Sequence, residues 1–330
     1  MGAKPSEVIF TSGGTESNNL AVLGTARRFK SKGNHLITSA IEHPAVLHCF
    51  DFLEKFEGFS VSRLPVDCAG RVSPEDLRQA IRPDTILVSI MAANNEIGTI
   101  QPVAELGAVC REHNVLFHTD AVQWMGKVPF VGIEQFRADL VSICAHKFHG
   151  PKGAGLLYAR SPLHPAPLLL GGGQENESRA GTENLAGIAG LVKAMELFLK
   201  VPVFDRARLA PLTAKLLALA GKVENLELLS PLSSGLANTV SFAVRGADSI
   251  ALLAGLDLEG ICASSGSACS AGSLSPSHVV VALGKPNLAN SLVRFSLGRD
   301  STTAEIDFVC ELFPLIIQRA QPGKNPANLL

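Results

Sequence analysis

A lysine at the end of an apolar strand is the residue from which chemistry in this chain can start. Lys147 follows the run Leu140 to Cys144, stands beside His146 and leads into the turn Gly150-Pro151-Lys152-Gly153. A strand end aims a side chain with little slack. A lysine held there, out of water or beside other charges, can lose its proton and act as a nucleophile able to form a Schiff base. Taken alone, a solvated lysine is the commoner reading.

Other residues raise the same choice. Thr11-Ser12-Gly13-Gly14-Thr15-Glu16-Ser17-Asn18-Asn19 joins a strand to a helix. Glycines there let the backbone approach an anion while N–H groups of the first helical turn point at it. A plain strand–helix turn with a threonine cap fits equally well. The loop is neither a Walker A sequence nor a Gly-x-Gly-x-x-Gly turn. Asp120 ends the run Val115 to Thr119, with Gln123 three residues on. An acid at a parallel-strand end occupies the usual ligand crevice of an open α/β sheet and could pair with a protonated ring nitrogen; a helix-capping aspartate is the plainer reading. Asn95 ends the preceding apolar run in the same way, and His43 could stack on a flat ring or simply open a helix. Arg294 lies on a strand, where a guanidinium requires a carboxylate, from the protein or from a ligand. Cys269 sits within Ser264-Ser265-Gly266-Ser267-Ala268-Cys269-Ser270-Ala271-Gly272-Ser273. Such small residues favour a reactive thiol free to swing over a structural one.

The elements that must position these residues alternate through the first part of the chain. Strands are expected at Val8 to Phe10, Leu36 to Thr38, Val61 to Leu64, Thr85 to Met91, Val115 to Thr119 and Leu140 to Cys144. Helices fall between them: Thr15 to Lys30, Pro44 to Phe56, one opened by Ser73-Pro74, and Val103 to His113. This is the pattern of an α/β protein, a three-layer α/β/α domain around a mostly parallel sheet. The run Val8-Ile9-Phe10 is apolar at consecutive positions, so cover is expected on both its faces. Past Lys200 helical patterns dominate around two strands, Thr239 to Val244 and Leu292 to Leu297. The domains expected are a large one over 1–199 and a smaller α+β one over 200–330 that carries the Cys269 loop.

Of the 330 residues 46% are hydrophobic and 18% charged, with a net charge of −1. That balance argues against nucleic acid or an anionic membrane as the main partner, and no apolar run reaches membrane-spanning length. Seven scattered cysteines with no Cys-x-x-Cys pair point to neither a disulfide framework nor structural zinc, and suit a reducing cytoplasm. Histidine spacing matches no common metal site, so no metal is expected.

Taken together, these motifs resemble the cysteine desulfurases of the NifS/IscS type, in the class V aminotransferase superfamily of fold-type I pyridoxal-phosphate enzymes. The resemblance spans essentially the whole chain. It is carried by the Thr11–Asn19 loop, Glu42-His43, Asn94-Asn95-Glu96-Ile97-Gly98, His118 to Gln123, Ala145-His146-Lys147 with Gly150 to Gly153, Arg179-Ala180-Gly181-Thr182-Glu183-Asn184, Ser264 to Cys269 and Arg294-Phe295-Ser296. It implies pyridoxal 5'-phosphate as cofactor, bound covalently to Lys147. His43 would stack on the ring and assist proton transfer, and Asp120 would pair with the ring nitrogen. Gln123 and Asn95 would contact the ring oxygen side or the substrate. Gly14, Thr15 and His146 would hold the phosphate, helped by Thr182 from the second subunit of a homodimer. Arg294 would bind the carboxylate of L-cysteine. Cys269 would take the sulfur as a persulfide, leaving L-alanine, and pass it to an acceptor protein for iron–sulfur clusters or another sulfur-transfer pathway. Cys144 stands where relatives of this type usually carry a serine that donates to the phosphate.

A selenocysteine lyase or another class V aminotransferase shares the fold. The Ser-Ser-Gly-Ser-Ala-Cys loop favours the desulfurase over the first, and the second would not need Cys269. An inactive scaffold or binding protein is the reading from another class. Relatives of this type also carry a segment ahead of the position of Met1, with an Asp-Asn-Asn-Ala-Thr-Thr type run that lines the substrate pocket. Without its helices the strand at Val8 would expose apolar surface, so the chain beginning at Met1 is expected to self-associate and a longer version to be a soluble, active dimer.

Overall fold

The computed structural model describes residues 1–266 and 276–321. Two compact units form. The first comprises Met1–Asp67, Arg71–Asn94 and Gln101–Val203; the second takes Cys68–Gly70, Asn95–Ile100 and the chain from Phe204 onward.

The first unit is built on β1 (Val8–Thr11), β2 (His35–Ser39), β3 (Ser60–Leu64), β4 (Thr85–Ser89), β5 (Leu116–Asp120), β6 (Leu140–Cys144) and β7 (Gly155–Ala159), in the spatial order β1-β7-β6-β5-β4-β2-β3. Strands β3, β2, β4, β5 and β6 are mutually parallel, and β7 runs against both β6 and β1. It follows that β1 points the same way as β6. The carboxyl ends of β1, β2, β4, β5 and β6 therefore share one edge of the sheet, where ligands gather in folds of this kind.

Every residue of β2, β4, β6 and β7 is buried, as continuous apolar strands covered on both faces require. Strand β1 differs from the expectation. It forms a sheet edge, and Ile9 is buried while Val8 and Phe10 are half-buried. One face packs with Leu20, Leu157 and Leu140, and the other is left partly open despite the apolar sequence.

The helices follow from local signals. Helix α1 (Gly14–Asn19) widens into a π turn at Leu20–Gly24 and continues as α2 (Thr25–Phe29), where one regular helix was expected. The widening ends where Gly24 lies flush against Ala166; a Cβ there would sit 2.6 Å from the Ala166 carbonyl oxygen. Helix α3 (Pro44–Glu57) has proline in its first turn and ends on left-handed Gly58. Helix α4 (Pro74–Ala80) is capped by Ser73, whose Oγ accepts from the Glu75 and Asp76 N–H groups. Helices α5 (Val103–Glu112) and α6 (Leu185–Phe198) complete the unit.

The second unit is α+β. Its antiparallel sheet, in the order β10-β9-β8, uses β8 (Leu226–Leu228), β9 (Thr239–Val244) and β10 (Leu292–Ser296). Helices α7 (Arg206–Leu217), α8 (Ser249–Leu258), α9 (His278–Ala282) and α10 (Thr303–Ala320) accompany it. Phe242, Phe295 and Phe313 form the centre of its core, with Phe295 and Phe313 edge to face at 5.1 Å. Each such ring contributes roughly 1.5–3 kcal/mol by burial. Gly98 explains how Asn95–Ile100 joins this unit. Its φ is +77°, and a Cβ would lie 3.1 Å from the Thr239 Cβ, so the segment runs against the start of β9.

Candidate active site

At the carboxyl edge of the first unit, β6 runs straight into a 3-10 turn, Ala145–Phe148, which carries Lys147. The burial of β6 fixes where that turn begins. Asp120 ends β5, the neighbouring parallel strand, and is 5% exposed. Its Oδ1 accepts from the Val122 N–H at 2.9 Å and its Oδ2 from Asn18 Nδ2 at 2.7 Å. Burial pushes the Asp120 carboxyl above its ordinary range, against the pull of the Val122 N–H, His43, Asn18 and Lys147. Asp120 thus feels the charges of both His43 and Lys147. Gln123 is half-buried on the turn that follows Asp120.

Gly14 opens α1 against β6. A Cβ on Gly14 would meet Val122 Cγ2 at 2.8 Å and Cys144 Cβ at 3.5 Å, so glycine is required for the approach. Gly14 thus lies close to Cys144, whose Sγ is 2.9 Å from His146 Nδ1. Burial raises the Cys144 thiol, while the backbone amides of Gly14 and His146 and the charge of Lys147 favour its anion. Burial and the nearby lysines 147, 152 and 127 lower His146. Cys144 and His146 thus lie where the positive charge of several lysines converges. Thr15, next along α1, is exposed.

His43 is both a helix cap and a site residue. Its Nδ1 accepts from the Ala45 N–H at 3.1 Å, opening α3. A neutral ring so held carries its proton on Nε2. Glu42 beside it is fully buried; its Oε1 accepts from Ser39 Oγ at 2.5 Å and the Met91 N–H at 2.9 Å, and burial raises it to about 8.

Thr182 lines a cavity of about 240 Å³ with Thr11, Ser12, Glu175, Arg179 and Asn184. Arg179 fixes this stretch against α1, its Nε donating to Glu16 Oε1 at 2.8 Å. Glu16 Oε2 in turn accepts from the Ser12 N–H at 2.8 Å.

The second unit brings Asn95 and Arg294 together, Arg294 Nη1 donating to the Asn95 carbonyl at 2.6 Å. Arg294 also exchanges backbone hydrogen bonds with Ser264, the first residue of the Cys269 loop. Cys269 itself lies outside the described residues. Among the described residues no group of three or more His, Cys, Asp or Glu side chains could hold a metal ion, and no helix is long and apolar enough to cross a membrane.

Two residues of the site escaped the sequence reading. Asn18 was visible only as part of the Thr11–Asn19 motif, and nothing in that motif marks it as the partner of Asp120. Lys127 is 7% exposed and donates from Nζ to the Lys147 carbonyl oxygen at 3.3 Å. No local pattern announces it.

The aminotransferase class-V family model matches residues 1–309. A cysteine desulfurase IscS of Dictyoglomus turgidum is 47% identical over 321 residues, covering 97% of this chain and 81% of that protein. A solved NifS-like protein superposes with a TM-score of 0.87 at 37% identity, over 96% of this chain and 84% of its own. The structure of SspA in complex with cysteine superposes with a TM-score of 0.77 at 36% identity, over 91% of this chain and 84% of its own. With the fold, the strand-end lysine and the acid beside it in hand, these matches place the chain in the aminotransferase class-V family, among the cysteine desulfurases of the IscS/NifS type.

Proposed function

We propose that the chain is a pyridoxal 5'-phosphate-dependent cysteine desulfurase. L-Cysteine and the Cys269 thiol would give L-alanine and a persulfide on Cys269, with no net change in atoms. The observation that carries the reading is the meeting of Lys147, Asp120, and Gly14 and His146 beside Cys144 at one sheet edge. Those residues fit the cofactor. The Gly14 and His146 N–H groups and the His146 imidazole match a phosphate, and a buried carboxyl at Asp120 calls for a cationic partner such as a protonated ring nitrogen. When bound, pyridoxal phosphate supplies an electron sink that labilises the substrate's Cα–H and weakens the adjacent Cβ–S bond.

The chain's own residues would do the rest. Lys147 holds the cofactor covalently and can move a proton at Nζ. Asp120, braced by Asn18, keeps its charge at the ring nitrogen, and Gln123 and Asn95 contact the ring oxygen side or the substrate. His43 stacks on the ring and presents its Nε2 proton, because Nδ1 is committed to Ala45. Gly14, Thr15, Cys144 and His146 hold the phosphate. Arg294 takes the substrate carboxylate, and the Cys269 thiolate accepts the sulfur for delivery to an acceptor protein, in iron–sulfur cluster assembly or a related route.

A homodimer is part of the reading. Leu170 is 83% and Leu185 74% exposed, and with Leu169 and Val192 they leave apolar surface on either side of Thr182. Such a partner would place Thr182 at the second subunit's phosphate. The six described cysteines are all free thiols, which suits a reducing cytoplasm.

The test is borohydride reduction after incubation with pyridoxal phosphate, followed by peptide mapping. The pyridoxyl group is expected on Lys147, and Cys269→Ala is expected to keep it while losing persulfide and sulfide release. A label on Lys152, or undiminished sulfide release by Cys269→Ala, rejects the reading.

A further inference from the structure

Asp120 ends β5 and Lys147 lies on the turn after β6, and the segment that follows Asp120 closes back on that turn. After Asp120 the chain coils through overlapping turns: Trp124 and Met125 donate to the Ala121 carbonyl, and Lys127 and Val128 to the Trp124 carbonyl. The coil ends flush against the lysine-bearing turn. Gly126 has a φ of +72°, and a Cβ there would lie 2.4 Å from the Phe148 Cβ. Lys127, one residue on, is buried and reaches the Lys147 carbonyl oxygen at 3.3 Å.

We propose that Lys127 is a positioning residue for Lys147: its ammonium clamps the carbonyl of the 3-10 turn and so ties the strand end bearing Asp120 to the turn bearing Lys147. The inference rests on the cofactor reading above for its consequence, but the clamp itself is a property of the chain. A buried ammonium is expensive unless it is used, and burial, then the charge of Lys147, pull Lys127 down to about 7. Protonated or not, its Nζ keeps an N–H for the carbonyl. The titratable groups that feel the charge of Lys147 are Asp120 from β5, Lys127 from the following coil, Cys144 at the end of β6 and His146 from its own turn, with His43 acting on Asp120. With the backbone held on both sides, the side chain of Lys147 is left as the moving part.

The experiment compares the full chain with Lys127→Met, which fills the space without donating, and with Lys127→Gln and Lys127→Arg, which keep a donor. Hydrogen exchange of the turn amides, read by mass spectrometry without added cofactor, should be at least about tenfold faster in Lys127→Met, the worth of one hydrogen bond from a charged donor. It should return towards wild type in the Gln and Arg variants. Capture of pyridoxal phosphate on Lys147, trapped with borohydride over time, should slow in the same order, and the visible circular dichroism of the bound cofactor should change with it. Far-ultraviolet circular dichroism confirms folding, and Lys127→Gln against wild type decides the matter if Lys127→Met unfolds. Turn exchange unchanged in Lys127→Met, or as fast in the Gln and Arg variants as in Met, overturns the clamp. Turn exchange that follows the donor in a wild-type chain that never takes pyridoxal phosphate on Lys147 overturns the proposed function and leaves the clamp standing.

Discussion

Asn18 Nδ2 donates to Asp120 Oδ2 at 2.7 Å across 102 positions of chain. That one bond joins the helix after the glycine loop to the acid at the end of β5. Both residues are buried, so neither group can exchange its partner for water. Replacing Asn18 by alanine leaves a buried carboxyl oxygen with one donor fewer, which is worth about 1.5–3 kcal/mol for a charged acceptor. Urea denaturation of Asn18→Ala is expected to show a loss of about 2 kcal/mol. Asn18→Asp should lose more near neutral pH, because two adjoining buried carboxyls cannot both ionise. An unchanged urea midpoint for both variants would contradict the brace.

Burial also sets how stability depends on pH. His118 is fully buried between Ser89 Oγ at 2.7 Å and Ser142 Oγ at 2.9 Å, and burial lowers it to about 3. Its folded value lies below its unfolded one, so its stabilisation is present above the ordinary histidine range and lost as pH falls towards about 3. Glu42 has the opposite sign. Raised to about 8, it stabilises fully below the ordinary carboxylate range and loses that contribution as pH rises through about 8. Lys127, lowered to about 7, opposes Glu42 on the alkaline side. Glu42→Gln separates the two. It keeps an acceptor for Ser39 and Met91 but cannot ionise, so it should be more stable than wild type above about pH 8 and little different in acid. Parallel stability curves for the two proteins across that range would refute the assignment.

Gly126 and Gly58 form a matched pair. Both have a φ of +72°, but a Cβ on Gly58 meets nothing within 4 Å while one on Gly126 strikes Phe148. Gly58→Ala should cost about 1–2 kcal/mol, the backbone penalty alone. Gly126→Ala adds overpacking of about 1–3 kcal/mol and pushes on the turn that carries Lys147. Thermal denaturation should rank them in that order, and slower cofactor capture is expected for Gly126→Ala alone. Equal losses in the two variants would show that Phe148 yields freely.

The apolar runs that became β2, β4, β5 and β6 could be read from sequence because strands covered on both faces leave an unbroken signal. Their ends gave Asp120 and Lys147 directly. Strand β7 was missed because Gly155-Leu156-Leu157-Tyr158-Ala159 follows a Gly/Pro turn and runs antiparallel, outside the strand–helix alternation. Helix α6 was missed because Leu185–Phe198 is apolar around most of its circumference and so lacks a one-sided period. Asn18 and Lys127 were hidden for another reason. Their roles are set by contacts with Asp120 and Lys147, and no local pattern records a partner far along the chain. Strand β1 shows the converse, an apolar run whose edge position leaves one face partly open.

Cys144 offers a test of how the phosphate is held. Cys144 is buried, and its Sγ lies 2.9 Å from His146 Nδ1. A thiol is a weak donor where a serine hydroxyl is a good one, and the Gly14 approach leaves no room for a bulkier group. Cys144→Ser is therefore expected to tighten the hold on pyridoxal phosphate by roughly two- to tenfold, the net worth of one ordinary hydrogen bond. Cys144→Ala should weaken it, since the Sγ contact that orients the His146 imidazole is lost. Spectroscopic titration should include pyridoxal without its phosphate as a control. The gain in Cys144→Ser should appear with pyridoxal phosphate and vanish with pyridoxal. If both ligands gain equally, the side chain acts on the ring or on Lys147 and the phosphate cradle must be placed elsewhere.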